Sequence, residues 1–593
     1  MTGDQLFRAL LGSCAFVVAY TANVPATGSR NDPAQPAFQP ADAFDPRTIA
    51  GNLCGRSDRP SFFSVRAALA APQPANISAR SPLFEGLGTL TYKITTSSPK
   101  TQAFFDQGLR LFYAFNPGEA VASFRAAGDA DPSCAMCAWG EALTLGPNLN
   151  GPMDEANNEA ALAAVAKAQG LAAGATPQEQ ALIAAIAARY APDKNARRDD
   201  LNIAYADAMA KVYAAYRDDP EIAAITVEAA MNVRSQPWGR GWDKTGRIPT
   251  GYLGGAIVAL ESLLAAHPDH PGGIHLYIHA VGNSVYLEKS VAYAERLGAL
   301  MPAAGHMVHM PSHTLYNVGR YKDALASNMA AITADEAYLK GPAAATEVYR
   351  YGLYEHNVFF AMSSAIMAGD EAAARQLIPL MKAFYGQSKW TPWEVAEGSA
   401  TQAVVRFGSP EEMLALPRPE TKKPYLLGIW HYARGSAYAY QNDPKRAVAK
   451  ANAIDKLRSG RKPKVQDMGA DLLGIAAEVL RGRAAVAQGK WVDAADHFGK
   501  AVAFQDKVPY RDPPLWDFPV RQAQGMALYK AGKLPQAGET LRQALIDFPN
   551  SGYALYALKD VSSALGDTAA AAEYSKLFDK AWAGSKPPAL DRF

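Results

Sequence analysis

Six of the chain's ten histidines fall between His275 and His356, at spacings that suit metal chemistry. His275 and His279 stand four apart, as do His309 and His313, and the second pair follows the first by 34 residues. On a helix, a spacing of four puts both rings on one face. A shift of 34 is the length of one two-helix repeat, so equivalent helices in adjacent repeats would carry the two pairs side by side. Packed helices lie about 8–10 Å apart, close enough for four imidazoles to converge on one point. The expectation is one shared transition-metal ion held by His275, His279, His309 and His313. Imidazole nitrogen suits copper, iron and zinc. Four nitrogens close a tetrahedral site, whereas three leave a position for water or substrate. Copper is the favoured ion, with iron or zinc as the alternatives.

The surrounding residues extend this reading. Counted from Gly305, the positions that face the groove of such a repeat are His306, His309, His313, Tyr316 and Asn317. Counted from Pro271 they include His275, His279 and Asn283, and from Glu355 the first is His356. His306 and His356 are the candidate catalytic residues, passing protons beside the metal. Tyr316, Asn283, Asn317 and Asn357 are the polar neighbours expected to orient the rings. Two plainer readings compete: the histidines hydrogen-bond a peptide in the groove without metal, or they pack as duplicated copies of one repeat. His267 and His270 belong to the preceding turn, and His431 and His497 read as structural. Cys134-Ala-Met-Cys137 follows Ser133 at a helix start, where thiolates are stabilised. A redox or soft-metal role and a structural disulfide are the two readings, the disulfide being favoured, with Cys54 as a further partner. Ala138 in place of a histidine excludes haem attachment, and no second CxxC completes a four-sulfur zinc site.

The elements that position these residues are helical. Gly108, Leu111, Ala120, Phe124, Ala127 and Pro132 set small residues against large ones, so that two antiparallel helices approach closely and Pro ends the second. The pattern returns at Gly435, Tyr438, Ala447, Ala451 and Ile454, and at Gly482, Ala485, Ala494, Phe498 and Ala501. It is most complete at Gly525, Leu528, Ala537, Leu541, Ala544 and Pro549. The spacing is that of the tetratricopeptide repeat, and it predicts an all-α fold, a right-handed α-superhelix of helical hairpins with a concave groove. The expected division is 84–235 for N-terminal repeats, 236–424 for central repeats with the histidine groove, and 425–593 for C-terminal repeats. Asn232–Thr250 and Lys389–Glu394 break the pattern with Gly, Pro and Trp and read as functional loops. A short extended segment is expected near Gly88.

Composition bounds the rest. Net charge is +2 with no basic tract, which argues against nucleic acid as a partner. Arg8 precedes the apolar run Ala9–Ala22, which is too short to span a membrane and ends in small residues, so residues 1–26 read as an export signal. Leu11-Gly12-Ser13-Cys14 resembles a lipoprotein box, but the apolar stretch continues past Cys14. Residues 27–83, rich in Pro and Ala, read as a tether. The expected location is periplasmic or secreted, with no transmembrane segment. Phosphate loops, GxSxG and HExxH are absent from the sequence. The groove is expected to take a small molecule or peptide, or a protein partner through its repeats. The function expected is thus a metal-dependent oxidoreductase or hydrolase, or an exported interaction scaffold.

The stretches FFDQGLRLFYAFNPGEAVASFRAAGDADPSCAMCAWGEALTLGPNLNGP, HPDHPGGIHLYIHAVGNS, MPAAGHMVHMPSHTLYNVGRY and YEHNVFF resemble those of a group of long, exported bacterial tetratricopeptide-repeat proteins. The likeness covers roughly residues 84–380 and implies the repeat fold. It implies no particular reaction. It also implies a glutamate three residues after the second histidine of the first pair, where this chain has Gly282.

Overall fold

A computed structural model describes residues 82–193, 195–233, 241–243, 245–341, 349–384, 391–459, 468–508 and 512–588. The export signal, Cys54, almost all of the tether, Trp238 and Trp390 lie outside the described residues. The architecture is an all-α superhelical repeat fold built from helical hairpins, and no strand forms among the described residues. No helix of theirs is long and apolar enough to cross a membrane.

The first part runs α1 (Pro99–Tyr113), α2 (Pro117–Ala130), α3 (Ala135–Leu145), α4 (Asn158–Leu171), α5 (Pro177–Ile186), α6 (Arg198–Ala215), α7 (Pro220–Met231) and α8 (Leu253–Ala266). The centre runs α9 (Pro271–Val281), α10 (Val291–Leu300), α11 (Gly305–His309), α12 (Pro311–Asn317), α13 (Tyr321–Lys340), α14 (Glu355–Ala368), α15 (Glu371–Ala383), α16 (Thr391–Phe407) and α17 (Pro410–Ala415). The last part runs α18 (Pro424–Tyr440), α19 (Pro444–Ser459), α20 (Met468–Ala487), α21 (Trp491–Gln505), α22 (Val520–Lys530), α23 (Leu534–Asp547), α24 (Gly552–Ala564) and α25 (Thr568–Ala581).

The small-against-large code explains why neighbouring helices pack so closely. A Cβ on Gly108 would stand 2.8 Å from the Phe124 ring, and one on Gly482 or Gly525 would meet Phe498 or Leu541 at 2.5 Å. Starts are fixed by caps: Ser98 accepts from the Thr101 N–H, Asn116 from Glu119, and His270 Nδ1 from Gly273. Residues 88–97 run irregularly rather than as a strand. Side chains of α1 take over the role of a partner strand: Asp106 and Gln102 accept from the N–H groups of Tyr92 and Ile94, and Arg110 donates to the Leu90 carbonyl.

The core forms two main bodies. One extends from Leu87 to Met310, the other from Leu325 to Phe578, and a small cluster around Leu315, Tyr316 and Phe360 joins them. Helices α9, α11, α12 and α14 meet at this seam. The C-terminal repeats return to it as well. Asn550 donates to the Val318 carbonyl, Tyr553 to the Ile366 carbonyl, and the Ala583 N–H to the Ala368 carbonyl. Gly319 makes that closure possible: its φ is +76°, and a Cβ there would lie 2.2 Å from the Pro549 carbonyl oxygen.

Candidate metal centre

Three stacked helices bring the six histidines together. Proline opens α9 at its first turn, and capping by His270 fixes the start, so His275 and His279 project from one face. The His270 Nε2 faces Glu221 on α7 at 2.9 Å, which makes this histidine a brace for α9 rather than part of the cluster. Helices α11 and α12 form nearly one axis. Met310 between them keeps helical angles and its N–H reaches the His306 carbonyl, while Pro311 omits one donor. A π-helical turn, Tyr349–Tyr354, runs into α14 and sets the rotation of His356.

The six rings form two groups of three: His275, His279 and His306, and His309, His313 and His356. Within each group the candidate ligand nitrogens all lie within 4.8 Å of one another. The expected grouping placed His275, His279, His309 and His313 around one ion with His306 and His356 beside it. The structure divides them otherwise. Nε2 of His275 is 3.1 Å from that of His279 and 3.2 Å from that of His306, and Nε2 of His309 is 3.0 Å from that of His313. Helices of adjacent repeats cross at an angle, so equal offsets in sequence do not meet at equal heights. His275 therefore meets His306, one turn before the expected His309. The two groups adjoin, with ring centroids of His306 and His309 at 6.0 Å and of His279 and His313 at 6.4 Å.

The outer nitrogens show which way the lone pairs point. His275 Nδ1 lies 2.7 Å from the Tyr113 carbonyl, so it carries the proton and Nε2 is a bare acceptor. Asn328 donates its amide to the Ala324 carbonyl, which turns Oδ1 to His309 Nδ1 at 2.6 Å. His309 is thereby fixed in the same tautomer. Asp512 stands 3.4 Å from His313 Nδ1 and accepts from Asn317 Nδ2 at 3.0 Å. His275 and His309 thus each turn a bare Nε2 toward the Nε2 atoms of neighbouring rings, a lone pair in each group that a cation could take.

Every ring except half-buried His279 is buried. Burial pushes His275 and His356 down to about 3 and holds His279, His306 and His309 well below the ordinary histidine range, with neighbouring rings adding to the effect. These imidazoles are neutral at physiological pH and offer their lone pairs to a metal. A phenylalanine packs on each group. Phe115 contacts His275, His279 and His306 at centroid distances of 4.4, 5.9 and 5.4 Å. Phe360 contacts His309, His313 and His356 at 5.3, 5.1 and 5.8 Å. Phe115 holds φ at +52°, a left-handed conformation that costs a bulky residue about 1–3 kcal/mol. This strained turn between α1 and α2 delivers both the ring and the Tyr113 carbonyl to the first group.

The expected polar neighbours are placed variously. Asn317 donates to the His313 carbonyl and to Asp512, and so acts on the centre through Asp512. Tyr316 pairs with Ser363 and packs on Phe360, Asn357 donates to the buried Asp335, and Asn283 is half-buried in the turn after α9. Groups that do touch the rings include the Tyr113 carbonyl, Ser312, Asn328, Asp512, Phe115 and Phe360. Of these only the Phe-Asn-Pro turn at Phe115 had a sequence signal, a helix start placed beside the groove. Cys134 and Cys137 are joined as a disulfide at the start of α3. Trp242, in the loop before α8, donates to the Ala280 carbonyl and so secures the end of α9.

No family model matches the chain, and no curated protein matches it. Solved structures similar to it include a human IFIT1 dimer with PPP-AAAA, 13% identical, covering 82% of this chain and 91% of that one at a TM-score of 0.27. They include the P58(IPK) TPR domain, 12% identical, covering 73% and 98% at 0.20, and yeast Tom70, 9% identical, covering 80% and 90% at 0.24. At these scores the description of the fold rests on the helices themselves.

Proposed function

We propose that the protein is an exported metalloprotein whose six histidines hold two transition-metal ions, copper in preference to iron or zinc, for oxidation chemistry. The observation that carries this reading is the division of six imidazoles into two adjoining groups of three, with the ligand nitrogens of each group within 4.8 Å of one another and five Nε2 atoms in short mutual contacts. Three nitrogens per ion leave a coordination position open. The groups touch through the His306–His309 and His279–His313 ring contacts, so ions held in them would be neighbours. An all-imidazole donor set favours copper over the harder, oxygen-seeking ions. The oxidant by class is dioxygen: two two-electron oxidations of an organic substrate reduce one O2 to two waters. His306 and His356 serve in this reading as ligands rather than as proton carriers.

A second reading is favoured by the repeat fold itself, which suits an interaction scaffold for a peptide or protein partner. In that reading the histidines hold no metal and serve as polar contacts within the groove, though most of them are buried.

Metal analysis and electron paramagnetic resonance of the full chain test the proposal. Loaded protein should hold about two coppers per chain, and the two Cu(II) ions, if held as coupled neighbours, should give little signal. His275→Ala should leave about one copper in the second group and restore the signal of an isolated ion. A chain that takes up no copper, or takes up one that survives both His275→Ala and His313→Ala, sinks the two-ion centre and leaves the scaffold reading.

A further inference from the structure

The N-terminal end of α11, which carries His306 into the first group, also walls a cavity of about 650 Å³. Pockets for small molecules span about 300–1,000 Å³ and are mostly apolar, so size and lining both fit a ligand. The walls are the chain at 82–87, the end of α1, residues 302–306, the C-terminal half of α13 and Tyr349. We propose that this cavity is the chamber for an uncharged, flat, apolar molecule, aromatic or alicyclic, presented to the ion held by His275, His279 and His306. The proposal rests on the two-ion reading for its reaction, though not for its binding.

Three observations specify the ligand. The first is charge. Among the described residues no lysine or arginine lines the cavity, and the one charged side chain there is the exposed Glu85. A carboxylate or phosphate would meet no cation, only a like charge. The second is shape. Phe84, Tyr338 and Tyr349 form an aromatic wall, with ring centroids 6.2 Å apart for Phe84 and Tyr338 and 4.5 Å apart for Tyr338 and Tyr349. Both tyrosine hydroxyls are committed, to Glu119 and to Asp335, so the cavity meets their rings rather than free donors. The third is continuity with the metal centre. Ala114 and Asn116 line the cavity, while Phe115 between them is turned by its left-handed backbone onto the three histidine rings. His306 belongs to both the cavity wall and the first group. His306 thus links the cavity to the site of the first ion.

The test uses the uncharged fluorophore N-phenyl-1-naphthylamine and full-length protein. Metal-free protein should bind it saturably. Ala334→Trp, which fills the cavity from α13, should weaken binding at least tenfold. Ala337→Lys is a milder change at an exposed position on the same wall, and it should weaken binding too. Circular dichroism confirms that each variant is folded. Protein loaded with Cu(II), its metal content measured separately, should quench the bound fluorophore. Absent saturable binding, or binding that neither folded variant alters, overturns the chamber. Binding in the metal-free protein with full copper uptake and no quenching overturns its link to the first ion. Binding without any copper uptake leaves the chamber standing and removes the two-ion reading instead.

Discussion

Asn328 and Asp512 fix their histidines from outside, and this is where a single side chain has the most leverage. His309 keeps its proton on Nδ1 because Asn328 Oδ1 is turned to it at 2.6 Å, and Asn328 itself is held by the Ala324 carbonyl. Removing such a partner frees both tautomer and ring rotation, at a cost of about 10–100-fold in metal affinity. Asn328→Ala and Asp512→Ala should therefore each weaken the ion in the second group by about 10–100-fold and leave the first nearly unchanged. Competition with a chelator of known affinity, run as a two-site titration, reads both ions at once. Equal loss at both would mean that the groups share a ligand sphere after all. Phe115 works in the other direction, because its strained backbone is sustained by packing against three rings.

Helices set what these residues can reach, and one glycine shows how tightly. Gly319, just past α12, lies at φ +76° with the Pro549 carbonyl where a Cβ would go. Gly319→Ala should destabilise the fold by about 1–3 kcal/mol through strain and a forced shift of the C-terminal repeats. A drop of several degrees in melting temperature would register it, and an unchanged one would show that this contact yields freely. Much at this scale was legible in the sequence. The spacing of four put each pair on one face, and the repeat pattern placed α9, α11, α12 and α14 as neighbours. The division of the rings was not legible, because the register between helices is set by crossing angle and side-chain packing rather than by offset along the chain. Asp512 was invisible for a different reason: it reaches the centre from 195 residues beyond its partner Asn317, and no local pattern encodes a contact made by closure of the superhelix. The segment expected to be extended near Gly88 pairs with no strand among the described residues, because α1 side chains satisfy its backbone instead.

The whole molecule depends on how its end returns to its centre, and two measurements follow. Asp517, five residues after Asp512, is buried with neither carboxylate oxygen hydrogen-bonded among the described residues, and burial pushes it up to about 8. A raised carboxyl favours the folded state while protonated; that contribution is full below the ordinary aspartate range near 4 and is lost as pH rises through about 8. Metal-free protein should accordingly melt at lower temperature at pH 9 than at pH 6, and Asp517→Asn should flatten that slope; parallel slopes would show that Asp517 ionises without penalty. The second measurement concerns the C-terminal repeats as a unit. The sequence sets them apart as 425–593, yet Asp512, Asn550 and Tyr553 bond to His313, Asn317, Val318 and Ile366, all on the side of the second group. A chain ending at Pro424 should keep the first ion and hold the second at least tenfold more weakly, so that copper falls from about two per chain toward one under a competing chelator. Adding residues 425–593 as a separate fragment should restore the second ion, because the contacts are noncovalent and the fragment contains regular repeats able to fold. Full retention of both ions in the shortened chain would make those repeats an appendage, and loss of both would make them part of one indivisible core.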